Sequence, residues 1–174
     1  LVGDDTAPAP LYLYLGEKGG AGTGDFLDRN GLAKGKLYVW VASTGVTTPD
    51  EWNGTGTSLG GDFVEIAHYD AAQAGLEGFD EAGFATQAKQ YEMAADAGAF
   101  FFSRPEDVAT NPADGTQAVL ASTGRGQLYP ADDFGTTYIV SVDFAAMSAE
   151  LKIAYDGDDA GNGQFDDPDF GLRS

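Results

Sequence analysis

Short apolar runs, each ended within a few residues by glycine or polar residues, constrain the fold of this 174-residue chain more than any other feature. The strongest run is Lys-Leu-Tyr-Val-Trp-Val-Ala at residues 36–42. It is apolar at consecutive positions, which is typical of a strand that is covered on both faces in the interior of a sheet. The chain also contains 25 glycines, which favour turns. This pattern predicts a mainly β fold with long loops.

Alternating and apolar segments predict the positions of the strands. The predicted strands are 11–15, 36–42, 62–67, 117–122, 136–144 and 149–155. The last two are expected to form a hairpin on the outside of a sheet. One segment, 81–97, breaks the β pattern, because Phe84, Ala88, Tyr91 and Ala95 recur at the spacing of one helix face. The sequence therefore predicts one short helix at about 81–97.

The balance of charge restricts the partners of the chain. It has 28 acidic and 9 basic residues, a net charge of −19, which argues against nucleic acid and anionic membrane surfaces as partners. Divalent cations are favoured, although the same acidity also serves solubility alone. No apolar run is long enough to span a membrane. The length suits a single domain over residues 1–174, or a portion of one, and no internal boundary is predicted.

The contents of cysteine and histidine exclude several kinds of site. The chain has no cysteine, which excludes disulfides, thiolate catalysis and cysteine–zinc sites within these residues. The one histidine, His68, excludes a site built from several imidazoles and is expected to be structural. No signal peptide is visible, and a first residue of Leu1 rather than Met is expected of a processed product or of a piece of a longer chain.

Three consecutive phenylalanines lead directly into the sequence Arg104-Pro105-Glu106-Asp107. Pro105 fixes its own φ angle and disfavours the helical conformation at Arg104. Arg104 and Glu106 are therefore expected on the same side of a strand-like segment. A guanidinium fork beside a carboxylate suits a site that binds an oxyanion next to a cation. The same pair also suits a plain salt bridge at the surface end of a strand.

The segment from Phe101 to Pro112, Phe-Phe-Ser-Arg-Pro-Glu-Asp-Val-Ala-Thr-Asn-Pro, resembles the Arg-Pro-Glu-Asp segment of PhoX-type alkaline phosphatases. These are secreted bacterial β-propeller enzymes. The similarity extends through residues 11–18, residues 27–41 and the Asp-rich C-terminal segment, and so through most of the chain. The Arg-Pro-Glu-Asp stretch is the specific part of this resemblance.

This resemblance implies part of a β-propeller-like fold and metal-dependent hydrolysis of phosphomonoesters, with calcium and iron ions held chiefly by carboxylates. Arg104 matches the family's arginine, which would bind the phosphate, and Glu106 matches a metal-binding glutamate. Glu17 matches an acidic position near the metal site, although Lys18 stands where a second acid is expected. The resemblance also implies a secreted, periplasmic or extracellular location.

One departure from the family concerns its metal ligands. The family's site includes a cysteine ligand of iron and further acids from outside the matched stretch, and this chain has no cysteine. Those ligands are expected before Leu1 or after Ser174 if the chain is a fragment of a longer one. If these residues were the whole protein, the site would be incomplete and inactive.

The acidic, glycine-rich segment 156–169 approximates a calcium-binding loop. Counted from Asp156 as the first position, acids fall at positions one, three and twelve, which are Asp156, Asp158 and Asp167. Alanine stands at position five and no flanking helices are predicted, so a single-ion loop and a solvated acidic turn are both compatible with the sequence. The loop underlies a second functional hypothesis, a non-catalytic, calcium-stabilised extracellular β protein with a surface or adhesion role.

Overall fold

The computed structural model describes residues 1–159 of the chain. In chain order, the strands and α-helices are β1 (Ala9–Pro10), β2 (Tyr12–Gly16), α1 (Phe26–Arg29), β3 (Gly35–Ala42), β4 (Ser58–Ile66), α2 (Gln87–Asp96), β5 (Phe101–Phe102), β6 (Pro105–Thr110), β7 (Gln117–Ser122), β8 (Thr136–Asp143) and β9 (Ser148–Asp156). The predicted mainly β class, with long loops and one helix of substantial length, is confirmed.

Seven of the strands form one antiparallel sheet in the order β2-β3-β4-β9-β8-β7-β6. Neighbours along the sheet are mostly neighbours along the chain, but the β4–β9 pair joins segments that are far apart in sequence, with Gly60 opposite Glu150. Strands β1 and β5 form a separate two-stranded sheet, with Ala9 opposite Phe102. The β4–β9 pair therefore joins the N-terminal and C-terminal halves into one sheet.

One face of the large sheet carries the main core. Because side chains alternate across a strand, Trp40, Leu120 and Tyr138 point to the same side, and each is almost completely buried. The indole nitrogen of Trp40 donates a hydrogen bond to the carbonyl of Ala149 at 3.3 Å. Trp52, from the loop between β3 and β4, lies with its ring centroid 5.7 Å from that of Tyr138. Trp52 thus covers this side of the core.

The opposite face of β3 is covered by helix α2. Val39 is fully buried there and packs in a cluster with Tyr12, Ile66 and Ala94. The prediction that residues 36–42 form an interior strand is confirmed, since β3 has sheet neighbours on both edges and packed side chains on both faces. Helix α2 is the longest described helix at ten residues, about half of what a bilayer span requires, so no described helix crosses a membrane.

The predicted helix is confirmed, since α2 at Gln87–Asp96 lies within the predicted segment 81–97. Of the four residues that recur at the spacing of one helix face, Ala88 and Ala95 are exposed, and the buried residue of the helix is Ala94. Phe84 lies before the helix, in a turn where the carboxylate of Asp80 accepts a hydrogen bond from the Phe84 backbone nitrogen at 2.8 Å. This side-chain bond competes with helical hydrogen bonding, and so α2 begins only after the turn.

Other differences from the predicted strands follow from pairing. Strand β4 begins at Ser58, four residues before the prediction, because its first residues pair with β9. The β8–β9 hairpin is confirmed, but it lies inside the sheet and not at its outer edge, since β9 pairs with β4 and β8 with β7. Strand β6 was not predicted, because Pro-Glu-Asp-Val-Ala-Thr contains few residues that favour strands.

Candidate functional site

Arg104 and Glu106 lie at the beginning of the edge strand β6 and form an ion pair, with 2.9 Å between Nη2 and Oε1. The prediction that they share one side of an extended segment is therefore confirmed. The backbone nitrogen of Arg104 donates to the hydroxyl of Ser122 at 3.1 Å, and the nitrogen of Thr123 donates to the carbonyl of Arg104 at 3.0 Å. The hydroxyl of Thr123 also donates to Glu106. The end of β7 thus fixes the position of the pair.

The sequence before the pair anchors it to the core. Phe100 and Phe102 are completely buried, with their rings 4.7 Å apart. Pro105 is buried as well, and the pairing of β6 with β7 shifts by one residue between Pro105 and Asp107. Such a bulge re-aims side chains at a sheet edge. The aromatic run therefore ends at the surface of the core, where the charged pair emerges.

A second carboxylate contacts the same guanidinium. Oδ1 of Asp5 lies 2.6 Å from Nη2 of Arg104, the nitrogen that also contacts Glu106. The Asp5 side chain is 66% exposed and that of Arg104 is 38% exposed. One cation thus faces two anions at the surface. No local pattern in the sequence indicates this contact, because 99 positions separate Asp5 from Arg104.

Behind the pair, a buried carboxylate bonds to the residue that precedes Arg104. Asp132 is 1% exposed and accepts hydrogen bonds from the hydroxyls of Ser103 and Thr136, the latter at 3.0 Å. Burial raises the pKa of Asp132 to about 6, with smaller contributions from Asp158 and Asp156, while the two hydroxyl bonds oppose the increase. No local pattern in the sequence indicates that Asp132 is buried.

Glu17 and His68 make contacts away from this pair. Glu17 is exposed and forms an ion pair with Lys34, with 2.7 Å between Oε2 and Nζ. His68 is partly buried, and its ring meets that of Tyr14 edge-on at 6.1 Å. Desolvation lowers the pKa of His68. This packing fits the structural role predicted for His68, and the metal-binding role of Glu17 stays a prediction.

The start of the predicted calcium loop lies at the end of β9. Asp156 is 3% exposed, and its carboxylate accepts hydrogen bonds from the backbone nitrogens of Gly54 at 2.8 Å and Asp158 at 2.9 Å. Asp156, Asp158 and Asp159 line a cavity of about 360 Å³. Burial raises the pKa of Asp158, and so does the nearby Asp156. Asp167 lies outside the described residues, so the calcium loop stays a prediction.

The metal centre that the resemblance implies does not fit the described residues alone. Within residues 1–159, no three carboxylate or imidazole side chains lie close enough together to hold a metal ion. Glu106 is a candidate ligand, but its carboxylate is engaged by Arg104 and Thr123. What residues 1–159 do provide is a guanidinium held in a fixed position beside carboxylates.

Comparison with known proteins gives one informative result. No family model matches the chain, and no curated protein matches it. Among solved structures, PhoX from Pseudomonas fluorescens in complex with vanadate, a transition-state analogue, is similar, with a TM-score of 0.60 and 22% sequence identity. The match covers 87% of this chain and 27% of that chain, so the chain spans about a quarter of the length of PhoX. At this level of identity, the likeness shows that the chain has a PhoX-like fold.

Proposed function

We propose that this chain is a section of a PhoX-like, metal-dependent phosphomonoesterase and that Arg104 binds the phosphate group of the substrate. The observation that carries the proposal is the Arg104–Glu106 pair, held at a sheet edge in a fold similar to that of PhoX. PhoX binds vanadate as a transition-state analogue, and this supports phosphoryl transfer as the chemistry of PhoX. For this chain, a hydrolase acting on phosphoric monoesters is the corresponding reaction class.

The chemistry of Arg104 suits this role. Phosphoryl transfer requires positive groups that neutralise the charge on the phosphoryl oxygens and hold the group in line. A guanidinium presents a planar fork of donors that matches two oxygens of one phosphate, which an ammonium group does not. The backbone bonds of Arg104 to Ser122 and Thr123 restrict where this fork can lie. Glu106 orients the guanidinium from the side.

Calcium and iron would supply charge neutralisation and activation of a nucleophile in such an enzyme. Glu106 is the residue that we propose for metal binding, with Glu17 as a second candidate. Since the described residues do not form a set of three ligands, the remaining ligands have to come from other residues. The proposed enzyme is secreted, periplasmic or extracellular, and this location is proposed from the sequence resemblance.

The test compares two variants of the full-length protein that should fail in different ways. Arg104→Lys keeps the charge but loses the fork, so kcat/KM for a phosphomonoester should fall about 30- to 150-fold while the metal content stays unchanged. Glu106→Gln keeps the shape but removes a hard anionic ligand, so the metal content and the activity should fall together. Arg125→Lys, at an exposed arginine in a turn, is the matched control.

Two results would reject the proposal. If the wild-type protein hydrolyses no phosphomonoester with calcium and iron supplied, the enzymatic function is excluded. If it is active and both variants keep full activity, the pair is only a salt bridge at the end of a strand. Metal analysis and steady-state kinetics on the same preparations distinguish these results.

A second candidate function is a calcium-stabilised, non-catalytic extracellular β protein with a surface or adhesion role. It is favoured by the acidic segment that begins at Asp156 and by the net charge of −19, with the remaining calcium ligands coming from residues other than 1–159. Calcium-dependent stability without phosphatase activity would support this candidate over the first.

A further inference from the structure

The Arg104 guanidinium lies between two carboxylates, and this arrangement has a consequence for anion binding. Asp5 and Glu106 both contact Nη2, at 2.6 Å and 2.9 Å. Counting these three side chains alone, the local charge is one positive and two negative. An incoming phosphate therefore meets a net negative cluster at the group that is proposed to bind it.

The backbone around Asp5 is anchored, so the contact with Arg104 is part of the fold. Val2 and Tyr12 exchange two backbone hydrogen bonds, at 2.9 Å and 3.1 Å. Gly3 packs so closely on the next strand that a Cβ atom there would lie 2.2 Å from the carbonyl oxygen of Pro105. On the other side, Asp4 accepts a hydrogen bond from the hydroxyl of Tyr91 at 2.9 Å. These contacts hold the Asp5 carboxylate within reach of Arg104.

Asp5 presents the same kind of acceptor as a phosphate. A carboxylate oxygen and a phosphoryl oxygen both accept charge-assisted hydrogen bonds from a guanidinium, at similar distances. Asp5 thus occupies a donor that a phosphate oxygen would use. The Asp5 side chain is mostly exposed and that of Arg104 partly exposed, so solvent weakens their attraction. A ligand can displace such a pair at a modest cost.

We infer that Asp5 competes with phosphate for the guanidinium of Arg104 and thereby sets the affinity of this site for substrate and product. The inference rests on the proposed function, because it takes Arg104 as the phosphate-binding group. Asp5 is a positioning residue that acts through Arg104 and takes no part in the chemical step.

The test measures binding of inorganic phosphate to the full-length protein by calorimetry, with calcium and iron supplied. Asp5→Asn removes the competing charge and should bind phosphate about three- to fivefold more tightly, the range expected for the loss of an exposed ion pair. Asp5→Glu keeps the carboxylate and should stay close to wild type. Asp107→Asn is the matched control, since it removes a nearby exposed charge on β6, the strand that carries Glu106.

The outcomes separate this inference from the proposed function. Tighter binding by Asp5→Asn, without the same change in Asp107→Asn, supports competition at Arg104. If Asp5→Asn binds like wild type while Arg104→Lys binds more weakly, competition is excluded and the phosphate site remains. If Asp107→Asn binds as tightly as Asp5→Asn, the effect is general electrostatics, and the inference is wrong. If neither wild type nor Asp5→Asn binds phosphate, the inference and the proposed function both fail.

Discussion

Asp132 gives the most quantitative prediction, because it is a buried acid with a raised pKa. Its pKa rises from 3.8 to about 6 on folding, chiefly through desolvation. Each pKa unit corresponds to about 1.4 kcal/mol, so this shift is worth about 3 kcal/mol. A raised acid pKa means that the folded protein holds the proton more tightly than the unfolded chain does. The associated stability is therefore present below the unfolded pKa and is lost as the pH rises through about 6.

The variant Asp132→Asn isolates this effect. Asparagine has nearly the same shape and does not ionise, and the hydroxyls of Ser103 and Thr136 can donate or accept hydrogen bonds to suit its amide. From about pH 4 to about pH 8, the unfolding free energy of the variant relative to wild type should rise by about 2 to 3 kcal/mol. Asp133→Asn, at the exposed neighbour, should show little of this change.

Denaturant unfolding, followed by tryptophan fluorescence in the presence of EDTA, measures the effect. The chelator removes cations that could bind the nearby Asp156 and Asp158 and so change the titration of Asp132. If the difference between Asp132→Asn and wild type does not change with pH, the argument that burial raises the pKa of Asp132 is wrong. The same holds if wild type gains stability relative to the variant on going from pH 4 to pH 8.

Three further predictions concern the core, a loop and calcium. Leu120→Ala should lower the unfolding free energy by about 2 to 5 kcal/mol, because Leu120 is fully buried. Val119→Ala, on the opposite and exposed side of the same strand, should lower it by less than about 1.5 kcal/mol in the same denaturant assay. Asp28→Ala removes the carboxylate that accepts hydrogen bonds from the backbone of the 19–24 loop, so amide exchange there should accelerate, and unchanged exchange would contradict this role. If Asp156 and its partners form a calcium site, the melting temperature should rise with calcium concentration, and an unchanged value would reject the site.

The strands could be predicted from the sequence because their signal is local. Side chains alternate with a period of two, so a half-buried strand shows its pattern within a few residues. This is why β3, β7, β8 and β9 were predicted to within about two residues. The same local reasoning placed Arg104 and Glu106 on one side, since Pro105 restricts the backbone between them.

Local reasoning failed where a distant residue decides the structure. Strand β6 has a weak intrinsic preference for β structure and exists because β7 pairs with it. The β8–β9 hairpin has an interior position only because β4, about ninety residues earlier, pairs with β9. Helix α2 occupies only the later part of the predicted segment, because the Asp80 carboxylate holds Phe84 in a turn and Thr86 caps the helix.

In the candidate site, too, some features follow from neighbouring residues and others from contacts between distant ones. The sequence by itself determined that a guanidinium and a carboxylate would emerge together from an aromatic run, because this follows from neighbouring residues and their backbone geometry. Only the tertiary structure decided that Asp5 contacts the same guanidinium and that Asp132 lies buried against Ser103. Both contacts join residues that are far apart along the chain, so they exist only once the sheet has closed the distance between them. The charge environment of Arg104 is therefore a property of the folded protein and not of its sequence motif.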